Sequence, residues 1–254
     1  MSFLRQVTPI VLTWNEEPNI RRVFDKFAWA KDVVVVDSGS TDQTIPLLGS
    51  YRNVRVVVHP FSSHSEQWNY ALTQTAVSTD WVLSLDADYV LSDALVEEME
   101  ALAPSAGLSG YTATFVYWAI GRPLRASLYP PKIVLFRRSH GRFVQDGHTQ
   151  RLQLDGRTHA LRNPIHHDDR KDLARWLRSQ AAYAELEARR IGASPPGKLA
   201  WRDRLRRTGV TPLVAALYTL LVKRCVLDGR AGLYYATQRA IAEAVLTLKL
   251  WDRR

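Results

Sequence analysis

The sequence predicts an α/β fold in which a mostly parallel sheet is flanked by helices and followed by a basic helical extension. Short β-branched runs that are apolar on both faces alternate with segments whose apolar residues recur at helical spacing. Each of the first runs ends in polar residues, as parallel strands do where they lead into loops. We place the α/β domain at residues 1–194 and the helical extension at residues 195–254.

The first hundred residues contain the elements that define the sheet. Buried strands are predicted at 7–13, 33–37, 54–58 and 81–85, where Val, Ile and Leu dominate. Helices are predicted between and after them at 16–30, 41–48, 66–76 and 92–102. The first of these helices has Pro18 near its start, where the missing N–H costs little. The alternation indicates a doubly wound sheet.

The second half of the chain changes from strands to helices. Segments 111–118 and 133–137 predict later strands that extend the sheet in a mixed or antiparallel way. The helical pattern begins near Asp169, and Ser194-Pro195-Pro196-Gly197 interrupts it. Two further helices are predicted at about 210–226 and 231–251.

Positive charge is concentrated in the helical extension. The chain carries a formal net charge of +9, and residues 195–254 hold 12 Lys/Arg against 4 Asp/Glu. The apolar stretch Val210–Val222 is shorter than the roughly 20 residues that span a bilayer, and Lys223 and Arg224 follow it directly. This pattern favours a helix in the headgroup region of an anionic leaflet. Packing on the domain or on a second copy in a homodimer is the alternative.

Cysteine usage and the N-terminal residues favour a cytoplasmic protein, peripheral on the inner face of a membrane if the extension binds lipid. Cys225 is the single cysteine, which excludes an intramolecular disulfide and a Cys-rich metal site. The opening residues MSFLRQVTPIVLTWNEE lack a charged segment followed by a long apolar stretch, so we expect no secretory signal.

Polar clusters follow three of the predicted strands, at Thr13–Glu17, Asp37–Asp42 and Asp86–Asp88. In an open α/β sheet, ligands bind beyond the carboxyl ends of the strands. One acid after a strand is often only a helix cap, but three clusters together favour a ligand site. Asp86 and Asp88 suit Mg²⁺ or Mn²⁺, which prefer oxygen ligands and share them with substrate phosphates. Such a metal neutralises a departing diphosphate.

The strings VLTWNEEPNI, VVVVDSGSTDQT and WVLSLDADYV resemble the family 2 glycosyltransferases, which have the GT-A (Rossmann-like) fold. Within that family the chain is similar to the small lipopolysaccharide core-biosynthesis glucosyltransferases. The resemblance is strongest over residues 8–90 and extends through SLYPPKIVLFRR. It implies an inverting, metal-dependent transfer of a hexose, with glucose favoured, from a UDP-sugar to a lipid-linked or lipopolysaccharide-core saccharide.

The resemblance also implies roles for single residues in donor binding. Thr13, Asn15 and Glu16 line the nucleotide pocket, and Asp37 contacts the base or ribose. Gln67 and Asn69, in HSEQWNYAL, lie beside the donor.

The remaining implied roles concern the metal and the phosphates. Asp86 meets the ribose, the sugar or the metal, and Asp88 binds the metal. His166 is a third metal ligand or diphosphate contact, with a structural role as the alternative. Arg137 holds a phosphate or the acceptor, or else is a solvated charge at a strand end.

The general base is the least defined part of the predicted site. The family often has Glu after the Asp-x-Asp motif and a His-Glu pair later, where this chain has Tyr89 and His148-Thr149. An inverting transfer needs a base to take the proton of the acceptor hydroxyl. Asp146 is the first candidate, and His148 is the second because its ordinary pKa suits base catalysis.

Other function classes lack their expected motifs. A nucleotidyltransferase requires a Gly-rich phosphate loop after the first strand. A dinucleotide-dependent oxidoreductase requires G-x-G-x-x-G near the first strand, and an ATPase requires Gly-Lys-Ser/Thr. None of these motifs is present. A nucleic-acid-binding protein would use the basic tail, but its charges flank apolar helices and the acidic clusters stay unexplained. We therefore expect no nucleic-acid partner. A catalytically inactive family member that binds a sugar nucleotide and a protein partner remains an alternative.

Overall fold

The computed structural model describes residues 2–146, 149–195, 197 and 199–252, and for Asp146 and Thr149 it describes the backbone alone. The chain forms two compact units. Unit 1 comprises residues 1–115 and 129–170, and unit 2 comprises residues 116–128 and 171–254. The predicted boundary at residue 194 therefore falls inside unit 2, because the helix before it packs with the C-terminal helices.

Unit 1 is built around a seven-stranded sheet whose strand order is β12-β6-β9-β4-β1-β2-β3. These strands are β1 (Val7–Thr13), β2 (Val33–Asp37), β3 (Val54–Val58), β4 (Trp81–Asp86), β6 (Leu108–Ala113), β9 (Lys132–Arg137) and β12 (Arg157–Ala160). Six of them run in the same direction, and β9 alone is antiparallel to both of its neighbours. The predicted α/β class with a mostly parallel sheet is confirmed.

The central strands are buried on both faces, which explains their unbroken apolar sequences. All five residues of β2 are buried, as are six of the seven residues of β1. Their side chains divide between two apolar clusters, with Val33 and Val35 in one and Val34 and Val36 in the other. This is the two-sided burial expected of parallel strands between helices.

Helices and short strands complete unit 1. The helices are α1 (Glu17–Phe24), α2 (Thr44–Leu48), α3 (His64–Gln74) and α4 (Asp93–Glu100). Strand β5 (Tyr89–Leu91) pairs antiparallel with β13 (Ile165–His167), and β10 (Gly141–Asp146) pairs antiparallel with β11 (Thr149–Leu154). The sequence indicated a strand directly before His166 and His167 but not β5, β10 or β11, because the apolar alternation of these three is weak.

Unit 2 is mainly helical and includes the small hairpin of β7 (Phe115–Ala119) and β8 (Arg122–Pro123). Its helices are α5 (Leu173–Ala193), α6 (Trp201–Arg206), α7 (Thr211–Leu217) and α8 (Arg230–Asp252). A π-helical turn (Tyr218–Val222) and a 3₁₀ turn (Cys225–Asp228) connect α7 to α8. The predicted strand 111–118 is thus two strands, β6 and β7, that belong mostly to different units.

An apolar cluster and an ion-pair network hold the helices of unit 2 together. Ala188 and Ile191 of α5 pack with Leu246 and Leu250 of α8. Arg206 joins three elements, because its guanidinium pairs with Asp203, with Glu187 of α5 and with Glu243 of α8. No helix in the described part of the chain is long and apolar enough to cross a membrane.

Candidate active site at the carboxyl edge of the sheet

The loops that follow β1 and β2 are joined by hydrogen bonds into one polar surface. The Asn15 amide donates to Ser40 Oγ at 2.7 Å, and Asn15 Oδ1 accepts from the Thr41 amide at 2.7 Å. The Glu16 amide donates to Thr44 Oγ1 at 2.6 Å. Asn15 has a φ of 54°, a left-handed conformation that Asn tolerates better than most residues. The first two predicted clusters therefore meet.

Asp37 organises this surface from a fully buried position. Its Oδ1 accepts from the amides of Gly39 and Ser40 at 2.9 and 2.7 Å. Its Oδ2 accepts from the hydroxyls of Thr13 and Ser40 at 2.7 and 2.6 Å. Gly39 completes the turn with a φ of 88°, which a residue with a Cβ adopts rarely. The carboxylate thus shapes the loop, and its predicted contact with the donor stays a prediction.

The third cluster lies beside the first two, because β4 pairs with β1 on the side opposite β2. Asp86, the last residue of β4, is in register with Leu12 of β1, while Thr13 is in register with Asp37 of β2. The carboxyl ends of β2, β1 and β4 are therefore adjacent. The sheet brings all three predicted clusters to one edge.

Strand β13 places an imidazole against Asp88. His167 is in register with Tyr89 of β5, and its Nε2 lies 3.2 Å from Asp88 Oδ2. His166 pairs with Val90, and successive side chains of a strand point to opposite faces. Burial lowers the pKa of His166, and nearby Asp168 opposes that shift. His167 is thus the histidine in contact with Asp88, while the predicted metal contact of His166 stays a prediction.

Helix α1 fixes the residues after β13. The Arg22 guanidinium pairs with Asp168 at 2.5 Å, and Arg170 pairs with the same carboxylate at 2.8 Å. Asn19 Nδ2 donates to Asp169 Oδ1 at 3.1 Å. A backbone hydrogen bond also holds this segment, because the Asp168 amide donates to the Asp88 carbonyl at 3.0 Å. The segment that carries His167 is therefore held in two ways, by side chains of α1 and by the backbone carbonyl of Asp88.

A buried tyrosine and a lysine lie beside these groups, and sequence reasoning did not select the lysine. Tyr89 is almost fully buried, and its hydroxyl contacts the hydroxyl of Tyr129 and accepts from Lys132 Nζ at 3.0 Å. Lys132 Nζ also contacts the Tyr129 hydroxyl and lies 4.5 Å from the centre of its ring. Burial, with Asp86 nearby, raises the pKa of Tyr89 well above its ordinary value. This hydroxyl is therefore neutral at physiological pH.

Strand direction explains why Lys132 belongs to the site and Arg137 lies elsewhere. Because β9 is antiparallel to β4, Arg137 is in register with Trp81 at the beginning of β4. There the Arg137 guanidinium pairs with Asp80 and lies 4.8 Å from the Trp81 ring centre. Lys132 begins β9 and thus lies at the Asp86 end. Arg137 therefore lies at the end of β4 opposite Asp86, and its predicted contact with a phosphate or the acceptor stays a prediction.

The predicted Gln-x-Asn pair on α3 contacts backbone and loop groups. Gln67 is fully buried, and its Nε2 donates to Ser38 Oγ and to the His59 carbonyl at 3.1 and 3.0 Å. Asn69 donates to the Phe143 carbonyl at 2.8 Å and accepts from the Phe143 amide at 2.9 Å. Gln67 therefore supports the loop after β2, and Asn69 pins β10. Their predicted donor contacts stay predictions.

The structure describes only part of one of the two candidates for the general base. The backbone of Asp146 ends β10, in register with Thr149, and its side chain is not among the described ones. His148 lies outside the described residues. Strand β10 is held to α3 through the contacts of Asn69 with Phe143. The predicted roles of Asp146 and His148 stay predictions.

The carboxylates of Asp86 and Asp88 are the predicted ligands of a divalent cation. Within the described ranges, no group of three or more His, Cys, Asp or Glu side chains is arranged to hold a metal. Mg²⁺ sites commonly use one or two carboxylates and take their other ligands from phosphates and water. Asp86 and Asp88 offer carboxylate oxygens of that kind, and their predicted metal contacts stay predictions.

Part of the chain is similar in sequence to known glycosyltransferases. The chain is 33% identical over 110 residues to an uncharacterized glycosyltransferase of Rickettsia bellii, which is 43% of this chain and 36% of that protein. It is 30% identical over 149 residues to the lipopolysaccharide core biosynthesis glycosyltransferase LpsC of Rhizobium meliloti, which is 54% of this chain and 53% of that protein. The chain thus spans between a third and about half the length of these relatives.

The chain is also similar to solved glycosyltransferase structures and matches one protein family. The glucosyl-3-phosphoglycerate synthase of Mycobacterium tuberculosis is 20% identical, with a TM-score of 0.48 over 76% of this chain and 82% of that chain. S. aureus TarS in complex with UDP-GlcNAc is 17% identical, with a TM-score of 0.46 over 97% of this chain and 91% of that chain. Residues 8–160, more than half of the chain, match the family described as Glycosyl transferase family 2. The chain therefore belongs to glycosyl transferase family 2.

Proposed function

We propose that this protein transfers a hexose, with glucose favoured, from a UDP-sugar to a saccharide acceptor with inversion at the anomeric carbon. The strongest support comes from the polar clusters after β1, β2 and β4, which lie together at one edge of the sheet. The Thr13–Asp37 and Asn15–Ser40 hydrogen bonds unite the loops after β1 and β2, and Asp86 follows on the next strand. A nucleoside fits such an edge, because strand ends and loop amides offer donors and acceptors.

In this proposal the donor lies across the ends of β2, β1 and β4. The loops after β1 and β2 hold the uridine, and Asp86 faces the ribose or the sugar. Asp86 and Asp88 bind a divalent metal together with His167, which takes the place that the resemblance gives to His166. Such a metal, when bound, neutralises the negative charge that develops on the departing diphosphate.

Lys132 supplies a second positive charge for the diphosphate. Its ammonium is held by the hydroxyls of Tyr89 and Tyr129 at the Asp86 end of β4. Among the described residues no carboxylate forms an ion pair with Lys132, so its charge is available to a ligand. A protonated lysine beside phosphate oxygens gives charge-assisted hydrogen bonds, about twice as strong as neutral ones. Lys132 thus takes over the role that we predicted for Arg137.

The acceptor hydroxyl attacks the anomeric carbon while a base removes its proton. Asp146 is the proposed base, and His148, two residues later in the sequence, is the alternative. We expect Asp146→Asn to abolish transfer and to leave donor binding intact. Unchanged turnover of this variant would remove Asp146 from the mechanism, and the same measurement on His148→Ala would then decide for or against the histidine.

The acceptor in this proposal is a lipid-linked or lipopolysaccharide-core saccharide, through similarity to LpsC of Rhizobium meliloti. A catalytically inactive sugar-nucleotide-binding protein is the second candidate. The specific observation in its favour is that Tyr89, where the family often has Glu, is buried against Tyr129 and Lys132 and brings no carboxylate to the site.

Calorimetric binding of candidate donors tests the proposal. The donors are UDP-glucose, UDP-galactose, UDP-N-acetylglucosamine, GDP-mannose and dTDP-glucose, each with and without Mn²⁺. We expect Mn²⁺-dependent binding of a UDP-hexose that is lost in Asp88→Asn and kept in Asp93→Asn. Asp93 is a matched control, because it is an exposed carboxylate on α4 whose partner is the surface residue Lys26. Absence of binding by every donor to the folded protein contradicts the proposal.

Transfer itself separates the two candidate functions. The donor that binds is offered with a lipopolysaccharide-core acceptor, and release of UDP is followed. Binding with transfer supports the enzyme, whereas binding without transfer or donor hydrolysis favours the inactive protein. The Mn²⁺ affinity of His167→Ala and His166→Ala then identifies which histidine contributes to the metal.

A further inference from the structure

We propose that unit 2 docks on an anionic lipid bilayer through an exposed apolar ridge. The ridge is formed by one face of α7, the π-helical turn and the 3₁₀ turn, with Leu213, Leu217, Leu221, Val222, Val226 and Leu227 as its exposed side chains. This inference goes beyond the proposed transferase activity and does not depend on it, because all the residues that carry it belong to unit 2.

The helical part of the ridge exposes apolar side chains and buries polar ones. Leu213 and Leu221 are 64% and 63% exposed, whereas Thr211 and Thr219 on the opposite face are 8% and 0% exposed. Thr211 Oγ1 lies 3.5 Å from Thr247 Oγ1 of α8, so the polar face of this helix is the one packed inward. A surface helix of a water-soluble domain normally buries its apolar stripe and exposes its polar face. A contiguous apolar surface of this kind marks a contact with a partner or a membrane.

Unpaired cations border the ridge. Arg224 directly follows the π-helical turn, and Arg230 directly follows the 3₁₀ turn that carries Val226 and Leu227. Both arginines are exposed, and within the described ranges neither forms an ion pair. The neighbouring Asp228 is engaged with Arg125 at 3.1 Å. The surroundings of the ridge are therefore positive, which suits phosphate headgroups.

The ridge has the size and shape of an interfacial element. The seven residues of α7 and the five of the π-helical turn amount to about 18 Å of helix. A bilayer core is about 30 Å thick, so this segment lies along a membrane surface in our proposal. Leucine and valine on one face with Lys and Arg at the border are the features of helices that insert at the level of the headgroups.

Charge favours a bilayer over a second copy of the chain. In a symmetric dimer the same patch meets itself, so the ridges of two copies would bring Arg224 and Arg230 of both copies together. Residues 195–254 contain 12 Lys/Arg and 4 Asp/Glu, and Asp203 and Glu243 already pair with Arg206. Few carboxylates are left to compensate that repulsion, whereas anionic lipids compensate it directly.

Vesicle co-sedimentation of the full chain tests the proposal. The vesicles contain either phosphatidylcholine alone or phosphatidylcholine with phosphatidylglycerol. We expect the wild type to pellet with the phosphatidylglycerol vesicles, and its partition to fall about tenfold or more in Leu213→Ser/Leu221→Ser, since burial of two leucines is lost. Arg224→Gln/Arg230→Gln should weaken binding by about tenfold at low salt and remove most of its salt dependence.

The matched control is Leu186→Ser/Leu248→Ser, which changes two exposed leucines of α5 and α8 outside the ridge. This control should bind vesicles as the wild type does. Thermal unfolding checks that every variant is folded, which is expected because the substituted side chains are exposed. Equal pelleting of the wild type and the ridge variant, or no pelleting of the folded wild type, overturns the proposal.

Analytical ultracentrifugation distinguishes the competing occupant. A wild-type dimer that Leu213→Ser/Leu221→Ser converts to a monomer, with no vesicle binding, assigns the ridge to a second copy and also overturns the proposal. Donor binding measured on the same variants is expected to be unchanged. Loss of vesicle binding with intact donor binding thus supports the ridge independently of the outcome for the transferase activity.

Discussion

Replacement of Lys132 by Met tests the proposed diphosphate contact, because methionine keeps the length of the side chain and removes its charge. Lys132 Nζ is held by the hydroxyls of Tyr89 and Tyr129 at the Asp86 end of β4. A hydrogen bond to a charged group contributes about 1.5–3 kcal/mol, which corresponds to a dissociation constant for UDP that is weaker by about 10- to 150-fold. Binding of uridine, which has no phosphate, should change by less than about threefold, or about 0.7 kcal/mol.

The substitution should have a small effect on folding. The ammonium lies 4.5 Å from the centre of the Tyr129 ring, a cation–π contact worth about 0.5–1 kcal/mol at such sites. We therefore expect the free energy of unfolding to fall by about 0.5–1 kcal/mol, which leaves a folded protein. Lys132→Arg keeps the charge and should recover most of the affinity for UDP.

Calorimetry with UDP, UMP and uridine on the wild type and both variants provides the assay. The control variant is Lys26→Met, which removes a partly exposed lysine whose partner Asp93 is on the surface. Equal affinity of wild type and Lys132→Met for UDP, or an equal loss of affinity for UDP and uridine, would refute the phosphate contact. Failure of the wild type to bind UDP would instead count against the proposed function as a whole.

Three further predictions concern stability and titration. Asp37→Ala leaves the amides of Gly39 and Ser40 without their acceptor, so urea denaturation should show a loss of about 3–4 kcal/mol. Burial and a hydrogen bond to Asp25 raise the pKa of Tyr51 to about 12. Stability should therefore fall as pH rises from about 10 towards 12, because the unfolded chain releases this proton first. Spectrophotometric titration should lose that phenol in Tyr51→Phe, and an unchanged titration would assign it elsewhere. Arg206→Met should lower the free energy of unfolding by about 2 kcal/mol, because it breaks a partly buried ion-pair network. In the same urea series Arg189→Met, which removes an exposed ion pair, should lower it by less than about 0.5 kcal/mol. Equal losses in the free energy of unfolding for the two variants would show that the Arg206 network adds no stability.

Local sequence patterns predicted the elements of the sheet closely. Strands β1, β2 and β3 begin and end at the predicted residues, because each is a short β-branched run bounded by polar loops. The same patterns predicted helices where α1 to α4 occur, although α1 and α2 start later than predicted. Polar residues after β1, β2 and β4 predicted the edge at which they meet, since parallel strands bring their carboxyl ends together.

The assignment of side chains around Asp88 required pairing between distant strands. His166 and His167 are equivalent in the sequence, but the register of β13 against β5 puts His167 next to Asp88. A shift of one residue would exchange the two, because successive side chains of a strand alternate. Sequence could have included Lys132 only if the antiparallel direction of β9 had been known.

Sequence by itself determined the family, the parallel strands and the polar clusters, because these depend on the order of residues along short segments. Tertiary structure alone decided that Lys132 and not Arg137 lies at the Asp86 end. It also decided that α7 and the π-helical turn expose Leu213 and Leu221 and bury Thr211 and Thr219. The amphipathic pattern of Val210–Val222 is the same whichever face is covered. Strand direction, strand register and the covered face of a helix are set by contacts between residues far apart in the chain, and local patterns contain no information about them.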